Sequence, residues 1–337
     1  MDAVPEVRRY SSRWGDAPIV DKDGREQVAT LTINDIPIFK LLCRYRYLRA
    51  DFIAELLDRS LPSVIQRLNQ LTRPPNKYLR RPEAQRSQPN ADYRRLIYEL
   101  APRGERTLRD LGHWKEMVRI GDEVQFAHAM MINDALANID LGVRRNRRAR
   151  LIPWEEIVSS SKFPAVSKEA SHPPHTIPVS IDYRFGDGRT RYARFNYTND
   201  CHGPFGVMYK SDRPSFRFFS YEAEHKNSLD RTNLDQPSFL KKVLAILVIQ
   251  QKGLYRTYWG LPNLFHLFGI PTGVRIEHMR EIVLRETQGR GSPNILFREV
   301  SALGDPFKVS KPTPAFFGPW DRAGFPPLDI SKERAAS

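Results

Sequence analysis

The sequence predicts an α+β protein in two parts: a small helical head closed by a two-stranded hairpin, then a larger α/β domain on a mixed sheet. Three observations predict it. Apolar residues recur at helical spacing from Ile36 to about Leu71, and a hairpin pattern follows. From Ile177 the pattern turns to short strands, joined late in the chain by two amphipathic helices. A chain of 337 residues with 40% hydrophobic residues has the length and the apolar content for two ordinary cores.

Residues 1–33 are polar and turn-rich and read as an arm with no core of its own. Ile38, Phe39, Leu41, Leu42 and Cys43 define a first helix over Ile36–Tyr47. Phe52, Ile53, Leu56 and Leu57 define a second over Ala50–Leu57. Ser60 is suited to cap a third, with Pro62 in its first turn, where proline is tolerated. Leu61, Val64, Ile65, Leu68 and Leu71 are expected to face the core. Ser63, Gln66, Arg67 and Gln70 fall on the opposite face. Pro74-Pro75 ends this helix. Tyr78–Arg81 and Leu96–Leu100 read as two strands around the tip Pro82–Arg95, and Pro102-Arg103-Gly104-Glu105 opens a closing helix.

Helix, helix, helix, hairpin, helix is the order of a winged helix-turn-helix, a module that lays its third helix in a DNA groove. The charge agrees. The chain carries a net +14, and Arg67–Arg109 holds eleven basic against four acidic residues, a local +7. Double-stranded DNA is therefore the expected partner. Ser63, Gln66, Arg67 and Gln70 would face the groove, and Arg80, Arg81 and Arg86 the phosphates. The alternative is a solvated basic face on a protein-interaction module. The head spans 34–115.

The second domain is read over 116–300. It starts with a helix over Glu123–Asn138, then a loop over 144–176 that opens with five arginines in seven residues (Arg144–Arg150). Strands are expected at Ile177–Phe185, Thr190–Tyr197, Phe205–Tyr209, Ser215–Lys226, Leu261–Ile270 and Asn294–Val300, with helices over Phe239–Gln251 and Thr272–Thr287. The proline- and aromatic-rich tail, 301–337, is expected to lie across the surface.

Alternate residues of a strand share a face, so Glu222, Glu224 and Lys226 line up together. Neighbouring carboxylates call for a positive charge, either a divalent cation or a lysine. Glu-x-Lys on a strand is also the arrangement of PD-(D/E)xK nucleases, whose carboxylates hold Mg²⁺ and whose lysine steadies the attacking water. Asp200 has the spacing for a further ligand, and Asp182 is a second choice. On this reading Asp200, Glu222 and Glu224 are the metal set, Glu224 and Lys226 the catalytic pair. The alternative is a solvated strand end with one ion pair.

Taken together the chain resembles the replication-relaxation family of plasmid and mobile-element proteins. The resemblance rests on Ile38-Phe39-Lys40-Leu41-Leu42 with Arg46-Tyr47-Leu48, on Arg67-Leu68, and on Tyr98-Glu99-Leu100-Ala101-Pro102-Arg103-Gly104. Later parts are His128 with its helix, Phe218-Phe219-Ser220-Tyr221-Glu222-Ala223-Glu224, and the helix holding Lys241 and Lys242. It implies a winged helix followed by a domain like the PD-(D/E)xK nucleases, with a role in replication or mobilisation. It does not supply a reaction. Relatives tend to carry Pro-Asp where this chain has Cys201-His202, and Glu-x-Asp-Arg where it has Glu222-Ala223-Glu224-His225. An Mg²⁺-dependent endonuclease and a non-catalytic adaptor both remain alternatives, replication or transfer proteins are candidate partners, and a homodimer is possible. Two distant cysteines and an N-terminus without an apolar core point to a cytoplasmic protein, and no apolar run is long enough for a membrane span.

Overall fold

The computed structural model describes residues 14–87, 95–113, 123–169, 173–184, 188, 190–201, 203–224, 229–230, 234–300 and 311–333. The chain is α+β and divides into two compact units between Asn133 and Asp134.

In the first unit the order is α1 (Ile36–Tyr45), β1 (Leu48–Arg49), α2 (Ala50–Leu57), α3 (Leu61–Thr72), β2 (Leu79–Arg80), α4 (Glu83–Arg86), β3 (Ile97–Leu100) and α5 (Pro102–Asp110). The strands form an antiparallel sheet in the order β1-β3-β2, with Leu79 opposite Leu100 and Leu48 opposite Tyr98. Ile38, Phe39 and Leu42 of α1, Phe52 and Ile53 of α2, and Val64, Leu68 and Leu71 of α3 are buried. Each such side chain contributes about 1.5–3 kcal/mol by leaving water. Two positions depart from expectation. Leu61 and Ile65 are each 39% exposed, because they sit on the outer side of the first two turns of α3 rather than under it. Ser60 precedes α3, but its hydroxyl makes no capping hydrogen bond. The expected tip contains the short α4, and its residues 88–94 lie outside those described.

Helix α6 (Glu123–Arg145) runs past the expected end at Asn138. Arg144 does not open a loop: it pairs with Asp140 one turn earlier, Nε to Oδ1 at 2.9 Å. The rest of the supposed loop also has structure, namely β4 (Ala149–Ile152), α7 (Trp154–Ser159) and α8 (Ala165–Lys168).

The second unit continues with β5 (Ile177–Arg184), β6 (Thr190–Tyr197), β7 (Phe205–Tyr209), β8 (Ser215–Ala223), α9 (Phe239–Gln251), α10 (Leu254–Trp259), β9 (Phe265–Ile270), α11 (Gly273–Glu286), β10 (Ile295–Glu299), β11 (Pro319–Arg322) and β12 (Leu328–Asp329). Seven strands make one mixed sheet, β12-β11-β10-β9-β8-β7-β4, and β5–β6 pair apart from it as a hairpin. β8, β9 and β10 run parallel, joined by helices, while their neighbours run antiparallel. One face of this sheet packs on α9 and α11 through Phe239, Val243, Ile246, Phe268, Phe297 and Met279. The tail is not a surface strap: β11 and β12 extend the sheet and bury Trp320. β11 begins on a proline, which an edge-side strand start tolerates. Gly142 of α6 makes room for this segment, since a Cβ there would lie 2.3 Å from the Cβ of Phe317. Among the described residues no helix is long and apolar enough to cross a membrane.

Candidate functional site

Glu222 and Glu224 stand at the carboxyl end of β8, the end where ligands of parallel sheets collect. β8 is an interior strand with both faces covered, so both side chains are fully buried. Buried carboxylates need donors or counter-charge, and helices α9 and α11 bring them. Ser238 caps α9, its Oγ accepting from the Lys241 amide at 3.1 Å, and this starts the helix so that Lys242 lies in its first turn. The Lys242 Nζ reaches Glu222 Oε2 and Glu224 Oε1, each at 2.6 Å, and Asp200 Oδ1 at 3.8 Å. Arg275, in the first turn of α11, places Nη2 4.0 Å from Glu224 Oε2. Both helix N-termini thus face the glutamates, an arrangement the helix dipole also favours.

Asp200 joins the group from the segment before β7, and its Oδ2 accepts from the Ala223 amide at 2.8 Å. Tyr197, at the end of β6, donates from its hydroxyl to Glu222 Oε1 at 3.0 Å. Glu222 thereby has one donor on each oxygen. Burial nevertheless pushes its carboxyl up to about 8; Lys242 pulls it down, and Asp200 and Glu224 push it further up. Burial alone would lower the Lys242 ammonium, but the charges of Asp200, Glu222 and Glu224 outweigh it and hold it well above the ordinary lysine value. The side chains of Lys242 and Asp200 keep 19% exposure, so the cluster opens to solvent on their side.

Behind the glutamates lies a neutral polar chain. Asn294 Nδ2 donates to Gln250 Oε1 at 3.0 Å, Gln250 Nε2 lies 3.1 Å from His266 Nε2, and His266 Nδ1 lies 2.8 Å from Ser220 Oγ. An amide nitrogen can only donate, so Nε2 accepts and Nδ1 carries the hydrogen toward Ser220. Burial lowers the His266 pKa to about 3, which keeps the ring neutral. Its edge meets the ring of Tyr197, with centroids 6.4 Å apart.

Of the residues expected from the sequence, Asp200, Glu222 and Glu224 come together. Asp182 does not: it lies on the outward face of β5, next to the buried Ile181, and is exposed. Lys226 lies outside the described residues. The site also contains Tyr197, Arg275 and Lys242, to which the sequence assigns no site role. The signals for Lys242 are a lysine pair in the first turn of an otherwise apolar helix and the place of that helix in the family resemblance.

The charge that would counter the carboxylates is already present. Three carboxylates are hard oxygen donors, suited in kind to Mg²⁺. As placed, however, they coordinate an ammonium. Among the described residues no group of three or more His, Cys, Asp or Glu side chains is arranged to hold a metal ion. The residues fit a cation in chemistry, but its seat is filled by Lys242.

The first unit presents fewer groups to a duplex than the sequence implied. Ser63 and Gln66 are exposed on α3. Arg67 is turned aside: Nε and Nη2 grip Asp35 at 2.7 and 2.6 Å, Nη2 also bonds the Thr30 carbonyl, and Nη1 takes up Gln70 Oε1 at 3.0 Å. Asp35 is held below the ordinary carboxyl value because these bonds outweigh its burial. Arg81 is 6% exposed, lies over the Tyr98 ring and bonds Asn69, so it cannot contact phosphate. Arg86 pairs with Asp16, and Arg95 with Asp51. Arg80 remains 58% exposed while its Nε bonds Glu99 at 2.9 Å. Three charges of the local +7 are therefore matched by aspartates outside the stretch, Asp35, Asp16 and Asp51.

No family model, no curated protein and no solved structure matches this chain.

Proposed function

We propose that the protein binds double-stranded DNA through its first unit, acting as a winged helix, and that its second unit is a nuclease-like scaffold of the replication-relaxation type. The observation that carries this reading is the exposure of Ser63 and Gln66 on α3 beside the Arg80 strand, within the order α1-β1-α2-α3-β2-β3. Arg67 and Gln70 would set the pitch of α3 rather than touch bases. A role around a plasmid or mobile element follows from the resemblance alone. A gel shift of the full chain against duplex DNA over a salt series tests the binding. Affinity should fall as salt rises, by roughly 0.9 log units per log unit for each phosphate contact. Ser63→Ala with Gln66→Ala should reduce affinity, and Arg80→Ala should also flatten the salt slope. Indifference to salt defeats the proposal.

One observation favours a second reading. Asp200, Glu222 and Glu224 all lie within 4 Å of one point, the Lys242 Nζ. If Lys242 swings toward the open side, the three carboxylates would hold Mg²⁺, which would supply charge stabilisation for phosphodiester hydrolysis. Lys242, not Lys226, would then be the lysine of the site, holding the scissile phosphate's charge. Incubation of supercoiled plasmid with Mg²⁺ or Mn²⁺ separates the readings. Cleavage lost in Glu222→Gln supports the enzyme; no cleavage, and no heat on titrating Mn²⁺, leaves the scaffold.

A further inference from the structure

The hairpin β5–β6 stands apart from the main sheet, and its outward face is neither apolar nor acidic. Strand parity places Ile177, Val179, Ile181, Ala193 and Tyr197 inward, where they are buried. The outward row of β6 is Asn196, Arg194, Tyr192 and Thr190, all exposed, with Tyr192 at 64%. Opposite them on β5 stand Pro178, Ser180, Asp182 and Arg184 in register. Arg194 leans across the ladder toward Ser180, Nε to Oγ at 3.5 Å. Arg184 and Arg191 are exposed toward the other end, and Lys241 of α9 lies over Phe195 at the inner side. On the outward face two cations, Arg184 and Arg194, thus flank the bare ring of Tyr192, with one described carboxylate, Asp182, opposite it; Arg191 and Lys241 belong to the inner side.

We infer that this face binds single-stranded nucleic acid. An exposed tyrosine on a strand offers a platform for an unpaired base, and flanking arginines offer contacts for the backbone phosphates on either side. A duplex hides its base faces, so Tyr192 has nothing to stack on there. Tyr197, on the same strand β6 but the inner face, holds Glu222 by its hydroxyl. One strand therefore joins the platform to the nuclease-like centre. The inference rests on the reading of the protein as a DNA-binding one and adds the form of DNA that its second unit takes.

The test measures anisotropy of a labelled oligothymidylate, and separately of a labelled duplex, with the full chain. Tyr192→Ala should weaken oligothymidylate binding roughly 5- to 100-fold, the loss of one base stack, and leave duplex affinity unchanged. Tyr192→Phe should retain most of the affinity, since the ring does the stacking. Arg184→Ala with Arg194→Ala should lower the single-strand salt slope by roughly 0.7 per lost contact. Tyr192 is exposed, so its variants test binding rather than folding. Wild-type affinity for oligothymidylate in Tyr192→Ala, or binding of duplex with none of oligothymidylate, overturns the inference and leaves the duplex reading standing. A chain that binds neither defeats both.

Discussion

Replacing Lys242 with methionine keeps the length of the side chain and removes its charge, which turns the acidic cluster against the fold. Wild-type Lys242 bonds Glu222 and Glu224 at 2.6 Å and stands 3.8 Å from Asp200. Both glutamates are fully buried, so neither can turn to water when the ammonium goes. Breaking a buried pair from one side costs about 3–5 kcal/mol. Lys242 is 19% exposed and solvent reaches its side of the cluster, so the lower end, about 3 kcal/mol, is expected at pH 7. In a domain of this size that lowers Tm by roughly 6–12 °C. The pH dependence follows from the signs. Lys242's folded pKa lies above its unfolded value, so its stabilisation is present throughout the range below about 10 and does not titrate between pH 5 and 8. In the variant the cluster has lost its counter-charge, so its buried carboxyls hold protons to a higher pH than in the wild type, whose Glu222 already stands at about 8. The folded variant then binds more protons than the folded wild type, and its stability falls more steeply as pH rises. The gap between wild type and variant must therefore widen from pH 5 to pH 8. Urea unfolding at several pH values reads it. A gap under about 1 kcal/mol at pH 7, or one that does not change with pH, refutes the placement of Lys242 as the counter-charge.

Three other changes follow from the same geometry. Glu222 has a folded pKa near 8 against an ordinary 4.5, so it makes stability fall as pH rises through that window, by at most about 1.4 kcal/mol per pH unit; Glu222→Gln should flatten this slope in urea titrations at pH 5 to 8. Arg67→Ala strands the carboxylate of Asp35, which is 1% exposed, and should cost about 3 kcal/mol in chemical denaturation while leaving the salt slope of duplex binding as it was. Gly142→Ala drives a Cβ against Phe317 and the Pro314 carbonyl, and should lower stability by about 1–3 kcal/mol with faster proteolysis of the tail.

The head was legible because its signals are local. The apolar spacing of α1, α2 and α3 and the proline pair after α3 each sit within a dozen residues, and the side chains that punctuate them act on their own backbone. Misplacement began where a local rule met a distant partner. Leu61 and Ile65 satisfy the helical period, but among the described residues nothing covers the outer side of α3's start. β4 and β11 are four residues each, and what makes them strands is the edge they pair with, Val207 and Met208 for one and Leu296 and Phe297 for the other. The local +7 was counted correctly, yet charge counting is blind to partners. Asp35, Asp16 and Asp51 lie outside the counted stretch and engage Arg67, Arg86 and Arg95.

The acidic cluster shows where strand parity suffices and where it fails. Parity puts Glu222 and Glu224 on one face, a short-range consequence of a strand repeating every two residues, whereas Asp200 follows from the longer spacing that a PD-(D/E)xK arrangement requires of a neighbouring segment. The counter-charge obeys a different geometry. Lys226 has the right parity, but a lysine on a helix that crosses above the strand approaches its face from outside and needs no parity at all. Lys242 comes eighteen residues after Glu224, placed by the Ser238 cap that starts α9 and by Phe239 and Val243, which fix which side of the helix faces the sheet. Lys242 can leave the cluster by a rotamer change without disturbing the ladder, because the backbone bonds of α9 and β8 do not involve its side chain. A metal ion would enter the centre only where the Lys242 ammonium leaves the place it fills between Asp200, Glu222 and Glu224.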